Sequence, residues 1–200
     1  MNPQSLEVKL IDFNIASELS SEHQDTSRAA QLEGSPPYFS PEQTGRMNRD
    51  LDYRSDYYSL GITFFELLTG ALPYFASDIM GWVHCHISKV VPDARDLNPD
   101  VSEAVALIVR KLMAKNPDDR YQSAHGLLRD LETCERQWNE TGAIATFPLA
   151  THDVPERFHV SQKLFGREQE ASALLNAFET ASCGAASLLL VAGYSGVGKT

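Results

Sequence analysis

Cysteine is scarce in this 200-residue chain, basic charge is outnumbered, and long apolar runs are missing. The three cysteines, Cys85, Cys134 and Cys183, are odd in number and widely spaced. That excludes a disulfide framework and fits reduced thiols in a cytoplasmic protein. Lys and Arg total 17 against 27 Asp and Glu, a net charge of −10. An acidic balance argues against a nucleic-acid partner, which needs basic surface to neutralise phosphates. The longest apolar run is Leu188-Leu189-Leu190-Val191-Ala192, far short of the roughly 18 residues of a membrane span. Met1-Asn2-Pro3-Gln4 has neither the basic nor the apolar region of a signal peptide. What is present is an ordinary globular balance, 42% hydrophobic and 22% charged, which excludes wholesale disorder.

Local patterns give a mainly helical first part. Glu7-Val8-Lys9-Leu10-Ile11-Asp12-Phe13 reads as a short strand ending at Asp12. Residues 17–36 are polar and without period, which predicts a long loop. Residues 56–70 are apolar on nearly every face, as in the central buried helix of a domain, with Asp56 in the first turn and Gly70 past the end. Val105, Ile108, Val109, Leu112 and Met113 form one stripe, started by Ser102 and stopped by Asn116-Pro117. Ala124, Leu127, Leu128, Leu131 and Trp138 suggest a further amphipathic helix, weakened by Gly126. His84-Cys85-His86 lacks a second pair at zinc-like spacing, which favours packed or solvated histidines over a metal site.

Periodicity fails over 139–164, which reads as an interdomain linker. A helix from about residue 167 to 181 follows, carrying Ala171, Leu174, Leu175 and Phe178 on one face. Residues 187–192 then read as a buried parallel strand. The chain ends on Gly193-Tyr194-Ser195-Gly196-Val197-Gly198-Lys199-Thr200, which matches G-x-x-x-x-G-K-[ST]. In such a loop the backbone N–H groups around Gly193, Ser195, Gly196, Val197 and Gly198 cradle phosphate oxygens. Lys199 would reach the β/γ-phosphates, and the Thr200 hydroxyl would ligate Mg²⁺. This segment reads as the start of a P-loop α/β domain rather than the whole of one.

Five further motifs stand in order: Asp12-Phe13-Asn14; Gly34-Ser35-Pro36-Pro37-Tyr38-Phe39-Ser40-Pro41-Glu42; Asp56-Tyr57-Tyr58-Ser59-Leu60-Gly61; Thr69-Gly70-Ala71-Leu72-Pro73-Tyr74; and Asn116-Pro117-Asp118-Asp119-Arg120-Tyr121. Together they resemble the C-terminal lobe of a eukaryotic-type Ser/Thr protein kinase over about residues 1–135. The resemblance implies ATP and Mg²⁺ as cofactors and a protein substrate in the parent protein. It implies that Asp12 holds Mg²⁺ on the ATP phosphates. Asn14 stands where the family has Gly, and Asn tolerates left-handed backbone better than most residues. Ser35 takes the place of the family's Thr beside the substrate position after the phosphoacceptor. Ser40-Pro41-Glu42 matches the end of the activation segment, and Glu42 is implied to pair with Arg120. Asp56 matches the Asp that hydrogen-bonds the catalytic-loop backbone.

Residues 43–49, 82–87 and 164–168 look like those of bacterial, notably cyanobacterial, multidomain signalling kinases. In these, an AAA-type ATPase module follows the kinase domain, and Phe165-Gly166-Arg167-Glu168 resembles its beginning. The expected organisation is therefore a partial kinase C-lobe at 1–138, a linker at 139–164 and a truncated AAA-type P-loop domain at 165–200. The sequence holds no Gly-rich loop, no strand lysine with its helix glutamate and no His-Arg-Asp catalytic triplet. The expectation is a cytoplasmic Ser/Thr kinase fragment in bacterial signalling with no retained catalytic base and no phosphotransfer by itself. A non-catalytic kinase-like binding or scaffold module and an NTP-binding signalling ATPase piece are the alternatives. The serines and threonines between Asn14 and Gly34 are candidate phosphorylation sites of the parent.

Overall fold

The computed structural model describes residues 34–47, 49, 51–155, 166, 168–186, 188 and 190, together with Val8. Asp12, most of the loop over 17–36, and the P-loop residues 193–200 lie outside this set, as does most of the expected strand at 187–192. The chain divides into two compact units, Met1–His159 and Val160–Thr200. No strand occurs among the described residues.

The first unit holds four α-helices: α1 (Arg54–Thr69), α2 (Ile79–Ser88), α3 (Glu103–Leu112) and α4 (Ala124–Thr141). Short 3₁₀ turns at Pro36–Tyr38, Glu42–Thr44, Ala94–Asp96 and Pro117–Asp119 join them. Helix boundaries follow local capping chemistry. The carboxylate of Asp78 accepts from Gly81 N at 2.7 Å, opening α2. The hydroxyls of Ser102 and Ser123 accept from Val105 N and Gly126 N, opening α3 and α4. Helix α1 ends at Gly70, whose φ of 72° is left-handed and whose N–H reaches Glu66 O at 2.7 Å.

Two apolar clusters form the core. Tyr58, Ile62, Phe65, Tyr74, Cys85, Val101, Val109 and Met113 belong to the first. Ala104, Ile108, Leu112, Tyr121, Leu127 and Cys134 belong to the second. Helices α1 and α3 contribute to both, because each is apolar on two faces. They approach closely at Gly61, where a Cβ would stand 2.8 Å from Leu112 Cβ and 2.8 Å from Met113 Cγ.

Helix α1 leaves Leu67 75% exposed. Two local expectations are corrected. Helix α4 buries Leu127, Asp130 and Cys134, while Leu128 and Trp138 are 51% and 59% exposed. Its buried stripe runs at i, i+3 and i+7 from Leu127, so Leu128 falls beside the stripe and Trp138 beyond the contact. Of the stretch expected as a linker, residues 144–153 lie against the first unit. Ile144, Phe147, Leu149 and Ala150 pack on the second cluster. Asp153 accepts from Gln122 N at 2.7 Å and Ser123 Oγ at 2.8 Å, and Asp130 accepts from Ala150 N at 2.8 Å.

In the second unit one helix, α5 (Glu168–Ser182), is described. Its Leu174, Leu175 and Phe178 are exposed.

Candidate functional site

The segment carrying Ser35 and Glu42 has little regular backbone pairing of its own. Prolines at 36, 37 and 41 remove three donors. Its position is therefore set by side chains from α1, α2 and the stretch between α3 and α4, at two anchors.

The first anchor is Glu42 with Arg120. Arg120 Nη1 donates to Glu42 Oε1 at 2.6 Å and Nη2 to Oε2 at 2.8 Å, a bidentate pair between residues 78 apart in sequence. The side chains are 0% and 1% exposed. The other guanidinium hydrogens go to backbone carbonyls: Nε to Ala114 O, Nη1 to Arg54 O and Nη2 to Lys115 O, at 2.8, 2.9 and 3.2 Å. All five N–H bonds of the fork are thereby used. Ser55 Oγ donates to Glu42 Oε1 at 2.7 Å. Burial alone would raise the Glu42 pKa, but the Arg120 hydrogen bonds and charge, with Ser55, hold it below the ordinary value.

The second anchor grips the turn Pro36–Tyr38. His86 Nε2 lies 2.9 Å from Pro36 O, and Nδ1 lies 3.1 Å from Tyr58 Oη. Ser59 Oγ donates to Tyr38 O at 2.8 Å, and Tyr38 Oη donates to Glu66 Oε2 at 2.6 Å. Behind His86, Lys115 Nζ donates to Tyr58 Oη, Tyr74 Oη and Cys85 O at 3.3, 2.9 and 3.2 Å. The ammonium also stands 4.6 Å from the Tyr74 ring centroid and 5.6 Å from that of Tyr58. Burial, reinforced by the Lys115 charge, pushes His86 down to about 4 against the Pro36 contact. Burial likewise takes Lys115 down to about 8 and Tyr74 up to about 12.

Of the residues singled out in the sequence, Glu42 and Arg120 are brought together. Ser35 is exposed one residue before the Pro36–Tyr38 turn, with its carbonyl accepting from Tyr38 N at 3.0 Å. Asp56 is exposed in the first turn of α1. Asp12 and residues 193 and 195–200 lie outside the described set. His84, Cys85 and His86 do not converge: His84 is exposed, Cys85 Sγ faces Phe75 O at 3.8 Å, and both His86 nitrogens are engaged. Among the described residues no group of three His, Cys, Asp or Glu side chains could hold a metal ion.

Sequence reasoning missed the His86–Tyr58–Lys115 chain and the buried Arg54. Arg54 bonds the Asp52 carboxylate, Asp118 Oδ1 at 2.9 Å and Gln122 Oε1 at 2.8 Å. The available signal was polar residues standing at otherwise buried positions. The described arrangement ties segment 36–44 to α1, α2 and the stretch after α3.

The chain belongs to the protein kinase family: the family model described as "Protein kinase domain" matches residues 1–130. The chain is 40% identical to Hybrid signal transduction histidine kinase G of Dictyostelium discoideum, over 82% of this chain and 5% of that protein. It is 37% identical to Serine/threonine-protein kinase PknB of Mycolicibacterium smegmatis, over 62% of this chain and 20% of the relative. With Serine/threonine-protein kinase PrkC of Bacillus subtilis the identity is 36%, over 63% and 19%. The chain thus spans between 5% and 20% of the length of these relatives. No helix among the described residues is long and apolar enough to cross a membrane.

Proposed function

We propose that this member of the kinase family is part of a cytoplasmic Ser/Thr protein kinase of bacterial signal transduction, moving the γ-phosphoryl group of ATP to protein Ser or Thr hydroxyls. The observation that carries the reading is the doubly anchored segment 36–44, tied by His86 at one end and Arg120 at the other. Phosphoryl transfer asks the protein mainly for positioning and charge stabilisation, so a peptide substrate needs a rigid platform. Segment 36–44 supplies one, with the Ser35 hydroxyl beside it.

Asp12 would hold Mg²⁺, which when bound neutralises charge on the ATP phosphates. Residues 165–200 are read as the start of an AAA-type module, in which Gly193 and residues 195–200 would hold a second nucleotide and Thr200 its Mg²⁺. Because the 200 residues contain no His-Arg-Asp triplet and no strand lysine at the expected context, the chain alone should transfer no phosphate. The test is labelled-phosphate transfer by the 200-residue chain and by the complete protein. Transfer to Ser or Thr is expected only from the complete protein, and Asp12→Ala should abolish it. Transfer by the isolated chain, or transfer insensitive to Asp12→Ala, would overturn the assignment.

A second reading is a non-catalytic docking module within a larger signalling protein. It is favoured by one observation: the relative at 40% identity is named a histidine kinase, and the matched stretch is 5% of its length. Absence of Ser/Thr transfer from a folded, complete protein would select this reading.

A further inference from the structure

We propose that His86 is a positioning residue for the acceptor peptide: by donating to the Pro36 carbonyl it sets the height and tilt of residues 35–38. This rests on the kinase reading for its functional consequence, but its geometry stands by itself.

Pro36 and Pro37 have no N–H, so the turn cannot be tied through donors of its own at those positions. At Pro36 and Pro37 the backbone can be tied only through its carbonyls. Inside the turn, Phe39 N approaches Pro36 O at a long 3.3 Å. The shorter contact, at 2.9 Å, comes from His86 Nε2. A carbonyl accepts and cannot donate, so Nε2 carries the hydrogen and Nδ1 is bare. Nδ1 then accepts from the Tyr58 hydroxyl. That hydroxyl in turn accepts from the Lys115 ammonium, which has only donors. From Lys115 to Pro36 every hydrogen bond has one permitted direction. The Pro36 carbonyl selects the imidazole tautomer, and with Nδ1 bare the Tyr58 hydroxyl must donate to it while accepting from the ammonium.

The ring is also held in plane. Trp82 lies nearly parallel to it at 6.1 Å between centroids, and Tyr74 meets it edge-on at 5.7 Å. His86 is fully buried. An apolar side chain would fill this space without the cost of burying two polar nitrogens. The imidazole is needed only if the bond to the loop carbonyl is needed. The four parts of the chain thus joined are the turn, α1 at Tyr58, α2 at His86 and the stretch after α3 at Lys115.

A residue that only supports the fold lowers the active fraction, so it lowers the apparent kcat and leaves both KM values alone. A residue that positions the peptide platform changes the peptide parameters selectively. In the complete protein, His86→Leu should raise the peptide KM about tenfold with the ATP KM unchanged, the order expected for one lost hydrogen bond. His86→Gln can present an amide N–H to Pro36 O and an acceptor to Tyr58, and should recover to within about threefold of the parent protein. Equal loss in both variants, or a fall in kcat with both KM values constant, would overturn the proposal.

A second measurement separates this from the kinase reading. In the 200-residue chain, ¹⁵N spectra of the His86 ring should show a protonated Nε2 and a bare Nδ1 near neutral pH. The amides of Ser35, Tyr38 and Phe39 should shift in His86→Leu and stay in place in His86→Gln. The opposite tautomer, or loop amides indifferent to His86→Leu, would refute the positioning role even if the complete protein is an active kinase. A complete protein that transfers no phosphate to Ser or Thr would remove the kinase reading while the ring-nitrogen result still decides the geometry.

Discussion

Replacing Arg120 should do more than destabilise the first unit; it should reverse the sign of the contribution that Glu42 makes as pH falls. Arg120→Met removes five hydrogen bonds at once, two to Glu42 and three to the carbonyls of Ala114, Arg54 and Lys115. What remains is a carboxylate in a residue 3% exposed, with Ser55 as its side-chain donor. Breaking a buried pair by deleting one partner costs about 3–5 kcal/mol, a large share of the 5–15 kcal/mol of a typical domain. In the intact pair the Glu42 pKa is lowered because Arg120 and Ser55 together outweigh burial, the largest single influence. Its stabilising contribution is then present above the unfolded value of 4.5 and lost as pH falls through the folded value.

Without Arg120, burial is opposed by little, and the folded pKa rises above the unfolded one. The folded state then binds a proton that the unfolded state has released. Stability falls as pH rises through that window, and the variant recovers as it is acidified from neutrality towards 4.5. Urea melts of the parent chain and Arg120→Met at several pH values between neutrality and 4.5 measure the effect. The gap between the two proteins should narrow with acidification, by about 1.4 kcal/mol for each unit by which the folded pKa exceeds the unfolded one. Adding Glu42→Leu to Arg120→Met should relieve the charge but not the three orphaned carbonyls, so recovery should be partial. A gap under about 1 kcal/mol at neutral pH, or one that widens on acidification, would refute the account.

Other perturbations test other contacts. His86 is held neutral to about 4 against 6.5 unfolded, so the unfolded chain binds the extra proton between these values; the stability this contributes is complete above 6.5 and lost as pH falls to 4. The loss is about 3 kcal/mol, read as the difference in acid sensitivity between the parent chain and His86→Gln in urea melts. Gly61→Ala adds a methyl 2.8 Å from Leu112 Cβ and 3.2 Å from Met113 N; thermal melts should show about 1–3 kcal/mol of destabilisation from overpacking, although helix propensity alone would favour Ala by about 1 kcal/mol. Gly126→Ala places a methyl 2.6 Å from Asp153 Cβ, so Asp153 must leave Gln122 and Ser123; limited proteolysis should then cut residues 142–155 faster than in the parent chain.

What was readable in the sequence was local. Ser102 before an apolar stripe and Pro117 after it locate α3, because capping and proline effects act over three or four residues. Gly70 ends α1 for a similarly local reason. The Glu42–Arg120 contact spans 78 positions, and only the family motif suggests it; nothing in periodicity does. The His86–Tyr58–Lys115 chain has neither a motif nor a spacing, since it joins three separate elements through hydroxyl and ring geometry. Leu128 and Trp138 mislead because apolar residues at helical spacing need a partner surface, and here the segment after α4 meets Leu127 and Asp130 instead. Asp130 looks like a solvated charge until the Tyr121 hydroxyl, at 2.5 Å, is seen beside it.

The two anchors meet at one residue. Tyr58 presents its ring to the Arg120 guanidinium, 5.0 Å from the centroid, and its hydroxyl to His86 and Lys115. The first contact belongs to the anchor at Glu42, the second to the anchor at Pro36. Because Tyr58 is fully buried in α1, a shift of that helix cannot move one anchor and spare the other. Among the described residues every buried side-chain nitrogen and oxygen has a hydrogen-bond partner, so neither anchor can relax at no cost in desolvation. An apolar core could stabilise the unit equally well, but apolar contacts tolerate sliding. Directed bonds to single carbonyl and carboxylate atoms do not, which is the intolerance that the proposed role in peptide positioning would require.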